Sequence, residues 1–206
     1  MNSSPSGDLV QLRTEIAAAA ARMIAEDGAS YGMAKRKAAE QILGGTKVHG
    51  DFMPDNAQIE DEVRTYQQLF LADSQPARLL HLRKTALQLM ADLADFRPYL
   101  TGAVLNGTAG QHSDIHLHLF VDSAKDVEIF LLNRNIRFEV SESPHFAKEG
   151  EPVETLSFMW QGEGVHLATY QTDDLRRGKK SSPGRLERAD ADTLQKLMRK
   201  SGGVLE

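Results

Sequence analysis

Hydrophobic positions recur along this chain with two different periods, and the change falls near Pro98. Before it the period is helical. Leu9, Leu12, Ile16, Ala20 and Met23 recur at steps of three or four, with the strong helix formers of Ala17–Ala21 between them. Asp8 is placed to cap this helix and Gly28 to stop it. A shorter basic helix is predicted across Met33–Leu43, ending at Gly44-Gly45, and Thr46–Met53 reads as a loop. Pro54-Asp55 opens another helix, with Ile59, Val63, Tyr66 and Leu69/Phe70 in one stripe. Ser74 is placed to cap a fourth, whose Leu79, Leu82, Ala86, Leu89/Met90, Leu93 and Phe96 share a face. Each apolar face must be buried against something, and the short connections suggest a pair of helical hairpins.

After Pro98 the period becomes two. Tyr99–Asn106 reads as a strand running into Gly107-Thr108. Ile115, Leu117, Leu119 and Val121 alternate with Asp114, His116, His118 and Phe120, the pattern of a half-buried strand. Asp126–Asn133 reads as a helix, Ile136–Val140 as a strand and Ser141–Pro152 as a polar loop. Val153–Trp160 and Val165–Tyr170, joined through Gln-Gly-Glu-Gly, read as a β-hairpin. Arg176–Arg188 is polar, contains Pro183-Gly184 and reads as an exposed loop; Asp190 is placed to cap a last helix through Lys200. The expectation is an α+β protein: a helical region over 1–98 packed on a mixed β-sheet over 99–175, then a basic loop and C-terminal helix over 176–206.

Composition narrows the chemistry. The 206 residues are 41% hydrophobic and 26% charged, ordinary for a globular chain with a sizeable core. Twenty-four Lys+Arg against 29 Asp+Glu give a net charge of −5, which argues against coating nucleic acid by bulk charge and leaves a local basic patch open. The chain has no cysteine, so disulfides, Cys-ligated zinc, iron–sulfur clusters and thiol catalysis are excluded. The first residues lack the charged and apolar regions of a secretory signal, and no stretch is apolar enough for a membrane span. The expected setting is the cytoplasm.

The segment Leu105-Asn-Gly-Thr-Ala-Gly-Gln-His-Ser-Asp-Ile-His-Leu-His-Leu-Phe120 carries the most chemistry. It resembles the signature of the polymerase-β-like nucleotidyltransferases: a Gly-Ser pair, a short connection, then Asp-x-Asp on a strand. The resemblance implies a nucleotidyltransferase-like mixed sheet on which the Gly-Ser backbone holds nucleotide phosphates. Two strand carboxylates and a third from a later strand would hold two Mg²⁺ ions, hard cations that favour carboxylate oxygen. Spacing of i, i+2 puts both strand carboxylates on one face. Here Gly107-Thr108 stands at the Gly-Ser place, Ser113 and Asp114 match the first acid and its neighbour, and His116 stands at the second acid. His166 is the match for the third. The connection from Thr108 to Asp114 is shorter than is usual for the family. The resemblance therefore implies Gly107, Thr108 and Ser113 as phosphate or nucleotide contacts, Asp114 as the remaining catalytic acid, and Asp114, His116 and His166 as the metal set of a degenerate active site. One carboxylate with two imidazoles suits Zn²⁺ or another first-row transition metal better than Mg²⁺.

A wider resemblance runs through Ala34-Lys-Arg-Lys-Ala-Ala39, Leu100–Thr108, His118-Leu-Phe120 and Val127-Glu-Ile-Phe-Leu-Leu132. These look like a set of small uncharacterised bacterial proteins, some labelled UDP-N-acetylmuramate–alanine ligase. The residues give that label no support: no Gly-x-x-Gly-Lys-Ser/Thr loop is present to cradle ATP phosphates, and the length does not hold three domains.

Plainer readings stand beside these. Asp114, His116 and His118 also fit the wet face of an edge strand, His166 a hydrogen-bonded structural imidazole, and Gly107-Thr108 a simple turn. Lys35-Arg-Lys37 and Arg176-Arg-Gly-Lys-Lys180 fit solvated surface or contacts to RNA or protein. Two functions follow. One is a divergent nucleotidyltransferase-fold protein binding a nucleotide or other phosphate-bearing ligand, with weak or no transfer, with or without a divalent metal. The other is a non-catalytic RNA- or protein-interaction module.

Overall fold

The structure, a computed structural model, describes residues 5–44, 53–147, 150–176 and 186–201. It forms two compact units, one of residues up to Arg78 with Gly110–His112, the other of Leu79–Ala109 with Ser113 onward. The protein is α+β, with an N-terminal helical region and a five-stranded mixed sheet. Among the described residues no helix is long and apolar enough to cross a membrane.

The first unit is built on α1 (Pro5–Asp27), α2 (Tyr31–Leu43) and α3 (Asn56–Phe70). Its core joins Ile16, Ile59 and Val63 to the alanines 17, 20, 21, 34, 38 and 39, all essentially inaccessible to solvent. Alanine at these contacts lets helix axes approach closely and costs no side-chain entropy. The chain starts α1 at Pro5, a residue suited to a first turn whose N–H groups lack partners, so Asp8 lies inside the helix and does not cap it. Gly28 ends the helix in the left-handed region (φ 67°). Ser30 caps α2 by accepting from the Met33 N–H, which moves its start ahead of the expected Met33. Asp55 and Gln58 exchange reciprocal bonds of 2.8 and 3.0 Å in a capping box that opens α3. The expected stripe on α3 stops short. Leu69 and Phe70 are 70% and 66% exposed, and the buried positions are Ile59, Glu60, Val63 and Gln67. Residues 46–52 of the expected loop lie outside the described residues.

α4 (Gln75–Asp92) crosses from one unit to the other, and Leu82, Ala86, Leu89 and Met90 belong to the core of the second. That unit's sheet has the order β1-β2-β5-β4-β3, from β1 (Tyr99–Thr101), β2 (Ile115–Val121), β3 (Glu139–Ser143), β4 (Val153–Trp160) and β5 (Glu163–Gln171). β2 and β5 are parallel; the other pairs are antiparallel. α6 (Ala124–Asn133) adds Val127 and Leu131 to the core. After it come the 3-10 turn Thr172–Arg176 and α7 (Ala191–Ser201), whose N-terminus Asp190 caps by accepting from the Thr193 N–H at 2.8 Å. The C-terminal stretch belongs with the sheet, since Ala189 bridges Leu100 and Leu194 is fully buried.

Two expected strands change place. Tyr99–Asn106 is strand only to Thr101; Gly102 (φ 68°) turns the chain into the short α5 (Gly102–Asn106). The buried Arg83 donates from Nε to the Val104 carbonyl and from Nη2 to that of Leu105, each at 3.0 Å, satisfying acceptors that a helix end leaves open. Ile136–Val140 is strand only from Glu139. Ile136 and Phe138 pack on the core as the chain leaves a turn at Asn135 (φ 57°), and the strand runs on to Ser143 through residues expected as loop. The β4–β5 hairpin turns on Gln161 and Gly162, both with positive φ, the geometry that suits the twist of antiparallel strands. Residues 177–185 of the expected exposed loop lie outside the described residues.

Candidate functional site

Alternation divides the sheet into two faces. Ile115, Leu117, Leu119 and Val121 point into the core beside Val165, Leu167, Leu156 and Leu100. His116, His118 and Phe120 point the other way, registered with His166, Ala168 and Tyr170 on β5. Ser157 faces His166 from β4, and Thr101 faces His116 from β1.

Three of the sequence-predicted residues meet on this open face. His166 contacts Asp114 through Nε2–Oδ2 at 3.1 Å and Ser157 through Nδ1–Oγ at 2.8 Å. A carboxylate only accepts, so in the neutral ring Nε2 carries the hydrogen and Nδ1 accepts from the Ser157 hydroxyl. His116 stacks on His166 with ring centroids 4.7 Å apart and planes 19° apart. Burial lowers the His116 pKa, with His166 adding to that effect and Asp114 opposing it. Asp114 lies over Gly164, where any Cβ would fall on the carboxylate, so only glycine leaves the acid its place.

The arrangement can orient His166 and pass a proton between a hydroxyl and a carboxylate. It does not fit the two-Mg²⁺ chemistry of the resembled family, because one carboxylate and two imidazoles supply too few hard oxygens. Both ring nitrogens of His166 are engaged, and among the described residues no group of three His, Asp or Glu side chains is arranged to hold a metal ion.

The donors expected to meet a phosphate are directed elsewhere. The Thr108 N–H and hydroxyl both donate to Asn106 Oδ1, at 3.0 and 2.7 Å, and the residue is buried. Gly107 (φ 90°) ends α5 with its N–H on the Ala103 carbonyl at 3.0 Å. Ser113 stands half-buried before β2.

Farther along the same face lies an aromatic cluster absent from the sequence reading. Phe120, Tyr170, Tyr99 and Phe146 pack together, with His118 4.6 Å from the Tyr170 ring. Burial, with Arg188, His116 and His145 adding to it, pushes the His118 pKa down to about 4; burial and Asp174 push Tyr170 up to about 12. His145 contacts Asp174 at 3.3 Å, with both side chains nearly buried. The Arg188 guanidinium stands 5.0 Å from the Phe120 ring centre, 5.5 Å from that of Tyr99 and 5.8 Å from that of Phe146. Ser157 had a usable signal, its alternation within β4. Arg188 had none, since it follows a polar stretch without periodicity.

No protein-family model and no curated protein matches the chain. Among solved structures, a chain in the structure of a GLD-2/RNP-8 complex is similar at 21% identity with a TM-score of 0.28, over 50% of this chain and 43% of that one. The protein thus spans less than half the length of that solved chain.

Proposed function

We propose that the open sheet face is a binding groove for a nucleotide or another phosphate-bearing ligand, on a divergent nucleotidyltransferase-like sheet that has lost ordinary Mg²⁺-dependent transfer. One observation carries this reading: His116 and His166 are paired positions of the parallel strands β2 and β5, and Asp114 joins them on one accessible face. The resemblance matches these residues to the family's three carboxylates. Imidazole in place of two of the carboxylates reduces the repulsion such a face would exert on a phosphate, and the His116 ring is left to supply an N–H donor to it. The same exchange removes the metal clamp, and loss of one preorganised charge-stabilising group alone costs about a hundredfold in rate.

The test is a melting screen with ATP, CTP, GTP and UTP, with Mg²⁺ and with EDTA. A ligand that binds only the folded state raises the melting temperature, and the rise is expected in EDTA as well as in Mg²⁺. Pyrophosphate release with Mg²⁺ is expected to stay at background. Robust release abolished by Asp114→Asn overturns the reading. So does the absence of any nucleotide shift, which would leave the interaction module, with Arg36 and Lys37 exposed on α2 as its contacts.

A further inference from the structure

Ser157, His166 and Asp114 form a chain of hydrogen bonds that nucleotide binding does not require. Ser157 Oγ lies 2.8 Å from His166 Nδ1, and His166 Nε2 lies 3.1 Å from Asp114 Oδ2. With the ring neutral, the carboxylate accepts the Nε2 hydrogen and so leaves Nδ1 unprotonated against the hydroxyl. A base within reach of a hydroxyl, and a carboxylate that fixes the base's tautomer, are what activate a serine as a nucleophile. Such a triad is defined by geometry and roles and not by chain order, and exchanging the two ring nitrogens leaves every role filled. The supports are rigid. Ser157 and His166 are paired positions of β4 and β5, and Gly164 leaves the Asp114 carboxylate its place. Ser157 is half-buried, while the His166 and Asp114 side chains are 33% and 45% exposed, so the base and its hydroxyl face solvent.

The surroundings of Ser157 select the substrate. It lies mid-strand, paired with Glu139 of β3 and His166 of β5, and not at a turn or helix start whose backbone N–H groups would hold an oxyanion. A carbonyl attacked here must need little such help, which fits esters of acidic alcohols such as phenols and enols and does not fit amides. Met159, two residues along the same face and 67% exposed, gives the ring of an aryl ester an apolar neighbour. We propose that Ser157 is the nucleophile, His166 the general base and Asp114 the positioning residue of an esterase site for phenol and enol esters. Ser157 Oγ adds to the ester carbonyl as its proton passes to His166 Nδ1. The carbon–oxygen bond to the alcohol then breaks, and the alcohol leaves with that proton. Water adds to the acyl-serine, again giving a proton to His166, and the acid departs as that proton returns to Ser157 Oγ. One ester and one water give one acid and one alcohol, without oxidation or reduction.

The experiment treats the full chain with a fluorophosphonate, which phosphonylates an activated serine with loss of fluoride, and follows phenyl acetate hydrolysis beside it. Fragment mass spectrometry is expected to place the adduct on Ser157. Ser157→Ala and His166→Ala should each lower hydrolysis about a hundredfold or more. Asp114→Ala should slow labelling and bring the ¹⁵N shifts of the two His166 ring nitrogens closer together, as a mixture of tautomers does. No adduct on Ser157 in the unaltered chain overturns the proposal, and that result does not depend on how any variant folds. Hydrolysis that survives Ser157→Ala but not His166→Ala also overturns it, since a lone imidazole then attacks the ester. Equal labelling of Ser157 with and without His166 overturns it as well. Nucleotide binding is read separately by melting, so either activity can fail without the other.

Discussion

The two faces of the five-stranded sheet are made by alternate residues of the same strands, yet they obey different constraints. On one face Leu117, Leu119 and Leu167 have no solvent exposure and are packed by α4, α6 and α7. On the other, one position away, His116 and His166 remain accessible, with His166 a third exposed. A slip of one residue would exchange the two sets, so burial of the leucines fixes the register and thereby sets the histidines opposite one another. The first face holds the fold; on the second, Phe120 and Tyr170 are buried in an aromatic cluster, and His116 and His166 stay accessible beside it.

The largest expected difference between them is in stability. Leu119→Ala should cost about 2–5 kcal/mol in denaturant unfolding, the range for a large core side chain whose cavity cannot close. His116→Ala, on the same strand, should cost at most about 0.5 kcal/mol, as accessible positions do. Equal costs would break the division. Gly164→Ala comes next. Its methyl falls on the Asp114 carboxylate, so overpacking of about 1–3 kcal/mol is expected, together with loss of the Asp114–His166 contact in a crystal structure of the variant.

A third effect depends on pH. His118 titrates at about 4 in the folded chain against an ordinary 6.5, so between those values the unfolded chain binds the extra proton. Its contribution to stability is complete above about pH 6.5 and is lost as pH falls toward 4. Unfolding curves across that window should show the decline, and His118→Phe should flatten it; an unchanged slope would show that the decline belongs to other groups. Ser157→Ala is the smallest. It removes one accessible hydrogen bond worth about 1 kcal/mol and frees His166 Nδ1, which ¹⁵N shifts of the ring would register as a changed tautomer balance.

How far such features could be read in advance depended on whether their cause was local. The α+β class, the helices and the β4–β5 hairpin were legible because period, caps and turn residues act within a few positions. The i, i+2 spacing suggests Asp114, just before β2, on the side of His116, and both contact His166. The break at Gly102 was not legible, because it depends on Arg83, a residue of α4, satisfying the end of α5. The late start of β3 depends on Ile136 and Phe138 finding the core. Thr108 has the right residue type for a phosphate contact, but Asn106, two positions earlier, takes its donors. Arg188 acquires its environment entirely from strands distant in sequence.

The claim that ligand binding belongs to one face has a direct measurement: two-dimensional NMR of leucine methyl and histidine ring resonances during titration with ATP in EDTA. The expected result is saturable shifts at His116, His166 and His118, with Leu117, Leu119 and Leu167 unmoved. Shifts centred on the leucines, or saturable binding that leaves all three histidines untouched, would contradict it.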